Sequence, residues 1–131
     1  MPTPRQSDIT FEEINQLIWK HLVERDWHHN PPRGLATSIA LEAAELLEHY
    51  QWTDEPVGSK EDIAAELADV LIYSFELAQA LDIDIAAAIK AKLLKAAKKY
   101  PAEQFKGKDG DEKKQAWLKA RDVHRERKAG P

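Results

Sequence analysis

The chain has 131 residues, with 23 acids against 19 Lys plus Arg, a formal net charge of −4, 43% hydrophobic residues and no cysteine. That length fits one domain around one core, and the missing cysteine excludes disulfides, thiol nucleophiles and Cys-ligated zinc, with a reducing cytoplasm as the expected compartment. The longest apolar run, residues 85–89, is far too short for a membrane span, Met1-Pro2-Thr3-Pro4-Arg5 lacks a secretory-signal core, and the acid surplus argues against coating a nucleic-acid polymer.

Proline and glycine cut the chain into long segments rich in Ala, Leu, Glu and Lys, while Val occurs only four times. Nothing alternates at a period of two, so the expected fold class is all-α. Thr10 and Glu13 read as a capping box opening the first helix. It runs to about residue 27 with Ile14, Leu17, Ile18, His21 and Leu22 on one face. A loop follows over 28–34, then a second helix over 35–51 with Leu35, Ile39, Ala43, Leu46, Leu47 and Tyr50 as its apolar stripe. Residues 52–59 form a turn region broken by Pro56 and Gly58. Ser59 starts a third helix over 60–81, whose arc of Ile63, Leu67, Val70, Leu71, Ser74, Leu77 and Leu81 is broad enough for the middle of a bundle. Asp84 caps a fourth helix that ends before Pro101. From Lys106 onward there are nine Lys plus Arg against five acids, read as a solvated basic tail or one short helix over 111–125. The expected organisation is a four-helix bundle-type core over 1–101 with a basic C-terminal extension over 102–131.

Two helices carry acids three residues apart, Glu42 with Glu45 and Glu66 with Asp69, which puts each pair on one side of its helix. If the two helices pack antiparallel, the pairs face each other. Four converging carboxylates suit a hard divalent cation such as Mg²⁺. Acid pairs at this spacing are ordinarily solvated surface, but here helical geometry separates them from the rest. Glu42 lies in line with Leu35, Ile39 and Leu46, and Glu66 with Val70, Tyr73 and Leu77. A half-buried carboxylate is costly unless a cation or donor meets it. Glu48, Glu61 and Glu76 lack this placement and read as surface. No Glu has a His three residues on, which disfavours a di-iron site. The loop pair His28-His29 has zinc-binding chemistry, yet no Cys or Glu cluster accompanies it, and it reads as polar surface. No Gly-rich phosphate loop, Gly-x-Ser-x-Gly or His-Glu-x-x-His is present.

Several strings together resemble one family. Glu24-Arg25-Asp26-Trp27, Pro32-Arg33-Gly34-Leu35, Leu41-Glu42-Ala43-Ala44-Glu45-Leu46-Leu47-Glu48 with Gln51-Trp52, and Glu66-Leu67-Ala68-Asp69-Val70-Leu71-Ile72-Tyr73, followed by Lys92 and Lys99-Tyr100-Pro101, resemble the MazG-like all-α nucleoside triphosphate pyrophosphohydrolases, in particular the dCTP pyrophosphatase branch. The resemblance covers roughly residues 10–101. It implies Mg²⁺-dependent hydrolysis of a nucleoside triphosphate to the monophosphate and pyrophosphate, a house-cleaning role, with Mn²⁺ as a substitute ion. By the same resemblance, Glu42, Glu45, Glu66 and Asp69 are the metal ligands and Glu45, nearer the rim, is the water-activating residue. Trp27, Trp52 and Tyr73 match base-pocket aromatics, whose faces suit base stacking. Lys92 and Lys99 match phosphate contacts, and Arg33 and Tyr100 stand at further motif positions expected to bind substrate. The resemblance also implies a homodimer or homotetramer, in line with the wide apolar arc of the third helix.

The chain departs from that branch at Ile18, where relatives place a His, at Ala96, where they commonly carry an Asn, and at Gly34 in place of Asn, after a loop one residue shorter. These departures bear on base choice more than on the chemistry and leave a pyrimidine or modified deoxynucleotide as the expected substrate. Two alternatives use the same residues: a pyrophosphohydrolase of broad or different base specificity, and a non-catalytic helical binding module whose acid pairs hold a structural cation.

Overall fold

The structure, a computed structural model, describes residues 8–130. The reading of the first five residues as lacking a signal core therefore lies outside the described residues. Five α-helices follow in order: α1 Phe11–Val23, α2 Pro32–Glu48, α3 Lys60–Ala80, α4 Ile85–Lys99 and α5 Gly110–Lys128, with a 3-10 turn at Ala102–Gln104 between the last two. No strand occurs among the described residues, so the fold is all-α, as the composition predicts. No helix among them is long and apolar enough to cross a membrane.

Local chemistry sets the helix ends. Thr10 opens α1 with its hydroxyl accepting from the Glu13 N–H at 3.1 Å, while the Glu13 carboxylate accepts from the Thr10 N–H at 2.6 Å. The Thr10 backbone N–H, and after it the Thr10 side chain, hold the Glu13 carboxyl below its ordinary range. Ser59 and Asp62 repeat the box at α3, and Asp109 with Glu112 at α5. The first helix stops at Val23, short of the predicted residue 27. Asp26 turns left-handed at φ 55, and the N–H groups of Asp26 and Trp27 reach back to the carbonyls of Val23 and Leu22 at 3.1 and 2.9 Å. This is a Schellman closure, with Asp in the position more often held by Gly. The same closure ends α3, where Asp82 has φ 53 and Ile83 N–H reaches the Ala78 carbonyl at 2.8 Å.

The second helix starts three residues before its predicted residue 35. Pro32 occupies the first turn, where its missing N–H has no intrahelical partner to lose and its φ is already helical. It ends at Glu48 rather than 51, its last turn tightened by bonds from His49 N–H to Leu46 and from Tyr50 N–H to Leu47.

The described chain divides into two compact units, one up to Ile85 and the other from Ala86. In the first, α3 packs against both α2 and α1. Ile18, Leu22 and Phe75 form the buried cluster, with Ile14 and Ile85 against it, and Phe11 stacks on Phe75 at 4.8 Å. Leu35, at 2% exposure, is the most deeply buried apolar side chain. Gln79 ties α3 to α1 by donating to the carbonyl and side-chain oxygens of Asn15 at 3.0 and 2.8 Å.

Glu76 corrects the sequence reading. It was expected at the surface but is 5% exposed. Its carboxylate accepts from the Asn30 side-chain amide at 2.9 Å, and the same amide donates to the Trp27 carbonyl at 3.1 Å. The buried carboxyl group thus anchors the α1–α2 loop.

The second unit holds α4 from Ala86 on, the 3-10 turn and α5. The basic segment read as a solvated tail or a short helix over 111–125 contains the 19-residue α5. Tyr100 meets Phe105 edge-on at 5.9 Å, and Gly107 adopts φ 77, a left-handed turn that glycine takes without strain.

Candidate metal centre

Glu42 and Glu45 stand one turn apart on α2, and Glu66 stands on the first half of α3. The structure brings these three together: one carboxylate oxygen from each lies within 4.8 Å of the others. Glu42 and Glu45 come from the second half of α2 and Glu66 from the first half of α3, so the cluster joins the two helices. Glu42 and Glu66 are half-buried and Glu45 is exposed, so the cluster opens to solvent on the Glu45 side. Asp69, one turn beyond Glu66, lies outside this tight group but close enough for its charge to act on Glu42.

Glu42 carries the strain of the arrangement. Its Oε2 is shut away from solvent and has no hydrogen-bond partner among the described residues. Desolvation first, then the approach of Glu45 and the charges of Glu45, Asp69 and Glu66, push its pKa above the ordinary 4.5. Among the described residues no cationic side chain meets that oxygen, and like charges this close favour either a shared proton or a bound cation. The donor set is all oxygen, partly dehydrated and open on one side, which fits a hard divalent ion that keeps water or phosphate oxygens as its other ligands. Glu42, Glu45 and Glu66 could hold such an ion, with Asp69 within one turn of it.

One neighbour escaped the sequence reading. His49 Nε2 lies 3.6 Å from Glu66 Oε1, both side chains largely buried. A side chain on Gly58 would collide with the His49 ring, so the glycine lets the turn after α2 close over the imidazole. Val57 N–H also donates to the His49 carbonyl at 2.9 Å. The signal was present in the spacing: residue 49 follows Glu42 by seven and Glu45 by four, on the same helix face.

The other expected substrate residues are placed as follows. Trp52 is 85% and Trp27 56% exposed, so neither is packed away as an apolar plug. Tyr73 is half-buried on α3, two turns beyond Glu66, and Arg33 is exposed in the first turn of α2, its carbonyl accepting from the Thr37 hydroxyl at 2.9 Å. Lys92, Lys99 and Tyr100 belong to the second unit. There, Lys99 Nζ stands over the Tyr100 ring at 5.1 Å, and a cavity of about 1140 Å³ between α4 and α5 is lined by Lys95, Lys98, Lys99, Lys119, His124 and Arg127 among others. Desolvation, followed by the charges of Lys99, Lys128, Lys95 and Lys92, pushes the His124 pKa down.

Two packed helices that share a carboxylate cluster define an all-α protein whose acids could hold a cation. The chain belongs to the MazG-like family, which matches residues 37–114. That span contains all four acids and leaves Trp27 and Arg33 outside it. Among solved structures, the chain is similar to a pyrophosphatase from Archaeoglobus fulgidus DSM 4304, with a TM-score of 0.60 and 32% sequence identity, covering 75% of this chain and 98% of that one. No curated protein matches the chain.

Proposed function

We propose that this protein is a nucleoside triphosphate pyrophosphohydrolase, releasing pyrophosphate and a nucleoside monophosphate. The observation that carries the reading is the convergence of Glu42, Glu45 and Glu66 within 4.8 Å around an unpartnered Glu42 oxygen. Membership of the MazG-like family and likeness to a pyrophosphatase support it. Glu42, Glu66 and Asp69, with Glu45 at the rim, would hold Mg²⁺, with Mn²⁺ as a substitute. A bound divalent ion there supplies neutralisation of the phosphate chain and stabilisation of the charge on the departing pyrophosphate.

The chain's own residues account for the remaining chemistry. Glu45, exposed at the rim of the cluster, orients a water and takes its proton as the water oxygen bonds to the α-phosphorus. The bond from that phosphorus to the bridging oxygen breaks, and the electron pair leaves with pyrophosphate. His49 holds Glu66 in place, as a charged or hydrogen-bonded neighbour does for a ligating carboxylate. Trp52 and Trp27, with exposed ring faces, are assigned to stacking on the base, beside Tyr73. Arg33, Lys92, Lys99 and Tyr100 are assigned to the remaining substrate contacts. A pyrimidine or modified deoxynucleotide is the proposed substrate, in a house-cleaning role.

The site is proposed to work in a homodimer or homotetramer. Leu41, Leu47, Leu67 and Leu71 on α2 and α3 are all about half exposed or more, apolar side chains that a second copy of the chain would cover.

The test is pyrophosphate release from a panel of nucleoside triphosphates with and without Mg²⁺, repeated with Glu42→Gln and Asp69→Asn. Turnover that requires the ion and is lost in both variants supports the reading. Absence of turnover on every triphosphate, or undiminished rates in the variants, refutes it and leaves the binding-module alternative.

A further inference from the structure

A second group of metal-type ligands lies in the turn that closes α1, apart from the carboxylate cluster in sequence and in chemistry. The Schellman closure holds Asp26 left-handed, and two residues on the chain carries His28 and His29. His28 Nδ1 stands 4.0 Å and His29 Nε2 3.6 Å from the same Asp26 oxygen, Oδ1. One ligand atom from each of the three residues lies within 4.8 Å of the others.

Three features set this group apart from ordinary surface polarity. His28 Nδ1 is shut off from solvent and has no hydrogen-bond partner among the described residues, and 4.0 Å is too long for a hydrogen bond to Asp26. Buried ring nitrogens are ordinarily satisfied, so an orphan one asks for a ligand. The ring is also held in place, its neighbour Trp19 meeting it edge-on at 5.5 Å. The turn itself is pinned by Asn30, which bridges the Trp27 carbonyl and the buried Glu76.

We propose that Asp26, His28 and His29 form a binding site for a borderline divalent transition metal of the zinc type. Two imidazoles and one carboxylate match the donor preference of Zn²⁺ and differ from the all-oxygen set that suits Mg²⁺. Ligands on a tetrahedral zinc with bonds of about 2.0–2.1 Å stand roughly 3.3 Å apart, so closure around the ion needs only rotation of exposed side chains. Asp26 is 85% and His29 71% exposed, which gives them that freedom and leaves the remaining coordination position to water. The ion clips together a turn whose central residue is Trp27.

The experiment is a Zn²⁺ titration of the metal-stripped full chain, in excess Mg²⁺, against a chromogenic zinc indicator, followed by Co²⁺ substitution to read the visible spectrum of a low-coordinate site. Saturation at one ion per chain is expected, with His29→Ala and Asp26→Asn each weakening affinity by about tenfold or more. His29 is exposed and Asn tolerates the left-handed turn, so both variants are expected to keep the fold, checked by circular dichroism. Glu42→Gln is expected to bind Zn²⁺ as the unaltered chain does. Failure to saturate, undiminished affinity in His29→Ala, or loss of binding in Glu42→Gln overturns the proposal. None of these outcomes depends on turnover, so failure here and failure of the pyrophosphohydrolase reading are distinguishable.

Discussion

The His49 imidazole and the Glu66 carboxylate face each other across the α2–α3 interface, Nε2 to Oε1 at 3.6 Å. Glu66 thereby has a neighbour that limits its orientation. His49→Ala is expected to weaken the apparent Mg²⁺ affinity by about 10–100-fold, the usual effect of removing a neighbour that orients a metal ligand. Gly58→Ala, which drives a methyl group into the His49 ring, is expected to act in the same direction. Mg²⁺ dependence of the initial rate measures both. An unchanged Mg²⁺ midpoint in His49→Ala would remove the imidazole from the account.

Glu42 contributes to the metal-free pH dependence. Its pKa is raised above 4.5 in the folded chain by desolvation and by Glu45, Asp69 and Glu66, so the folded state holds that proton more tightly than the unfolded chain does. The associated stability is fully present below the unfolded value and is lost as pH rises through the raised folded value. In chelator, Tm should therefore fall more steeply over this window for the unaltered chain than for Glu42→Gln. The variant should be the more stable of the two near neutral pH. Mg²⁺ should raise Tm for the unaltered chain and much less for the variant. Identical pH profiles for the two chains would contradict the assignment.

The Asn30–Glu76 pair predicts a stability loss far from the acids. Asn30→Ala strips the buried Glu76 carboxylate of its amide donor and frees the turn carrying Trp27. A loss of about 1–3 kcal/mol is expected, the range for a buried polar group left unsatisfied. Urea unfolding reads this directly, and an unchanged midpoint would mean that water replaces the amide.

Trp52 separates binding from folding. At 85% exposure it contributes little to the core, and Trp52→Ala should leave stability within about 0.5 kcal/mol. If it stacks on the base, its loss removes about 1–3 kcal/mol of binding, read as a rise in KM with kcat much less affected. A KM equal to that of the unaltered chain would place the base elsewhere.

Much of this architecture was legible because its signals are local. Capping boxes at Thr10 and Ser59 and the Pro and Gly breaks lie within a few residues of the elements they define. The juxtaposition of Glu42 and Glu45 with Glu66 also followed from helical spacing plus a short connection. What escaped depends on contacts distant in sequence or on unusual backbone. Glu76 reads as one more helix acid until Asn30, 46 residues away, covers it. The helix ends at Asp26 and Asp82 were hidden because left-handed closure is expected of Gly, and here Asp takes its place. His49 sat on the correct face, but no single residue marks a neighbour of a ligand. Asp26 joined His28 and His29 only once the turn was folded.

In the proposed reaction, water attacks the α-phosphorus of a nucleoside triphosphate at the carboxylate cluster. Turnover with Mg²⁺ in ¹⁸O-labelled water, with both products analysed by mass, tests it most directly. Monophosphate and pyrophosphate are the expected products, with the label in the monophosphate and no turnover by Glu42→Gln. Label in the pyrophosphate, or diphosphate and inorganic phosphate as the products, would contradict it.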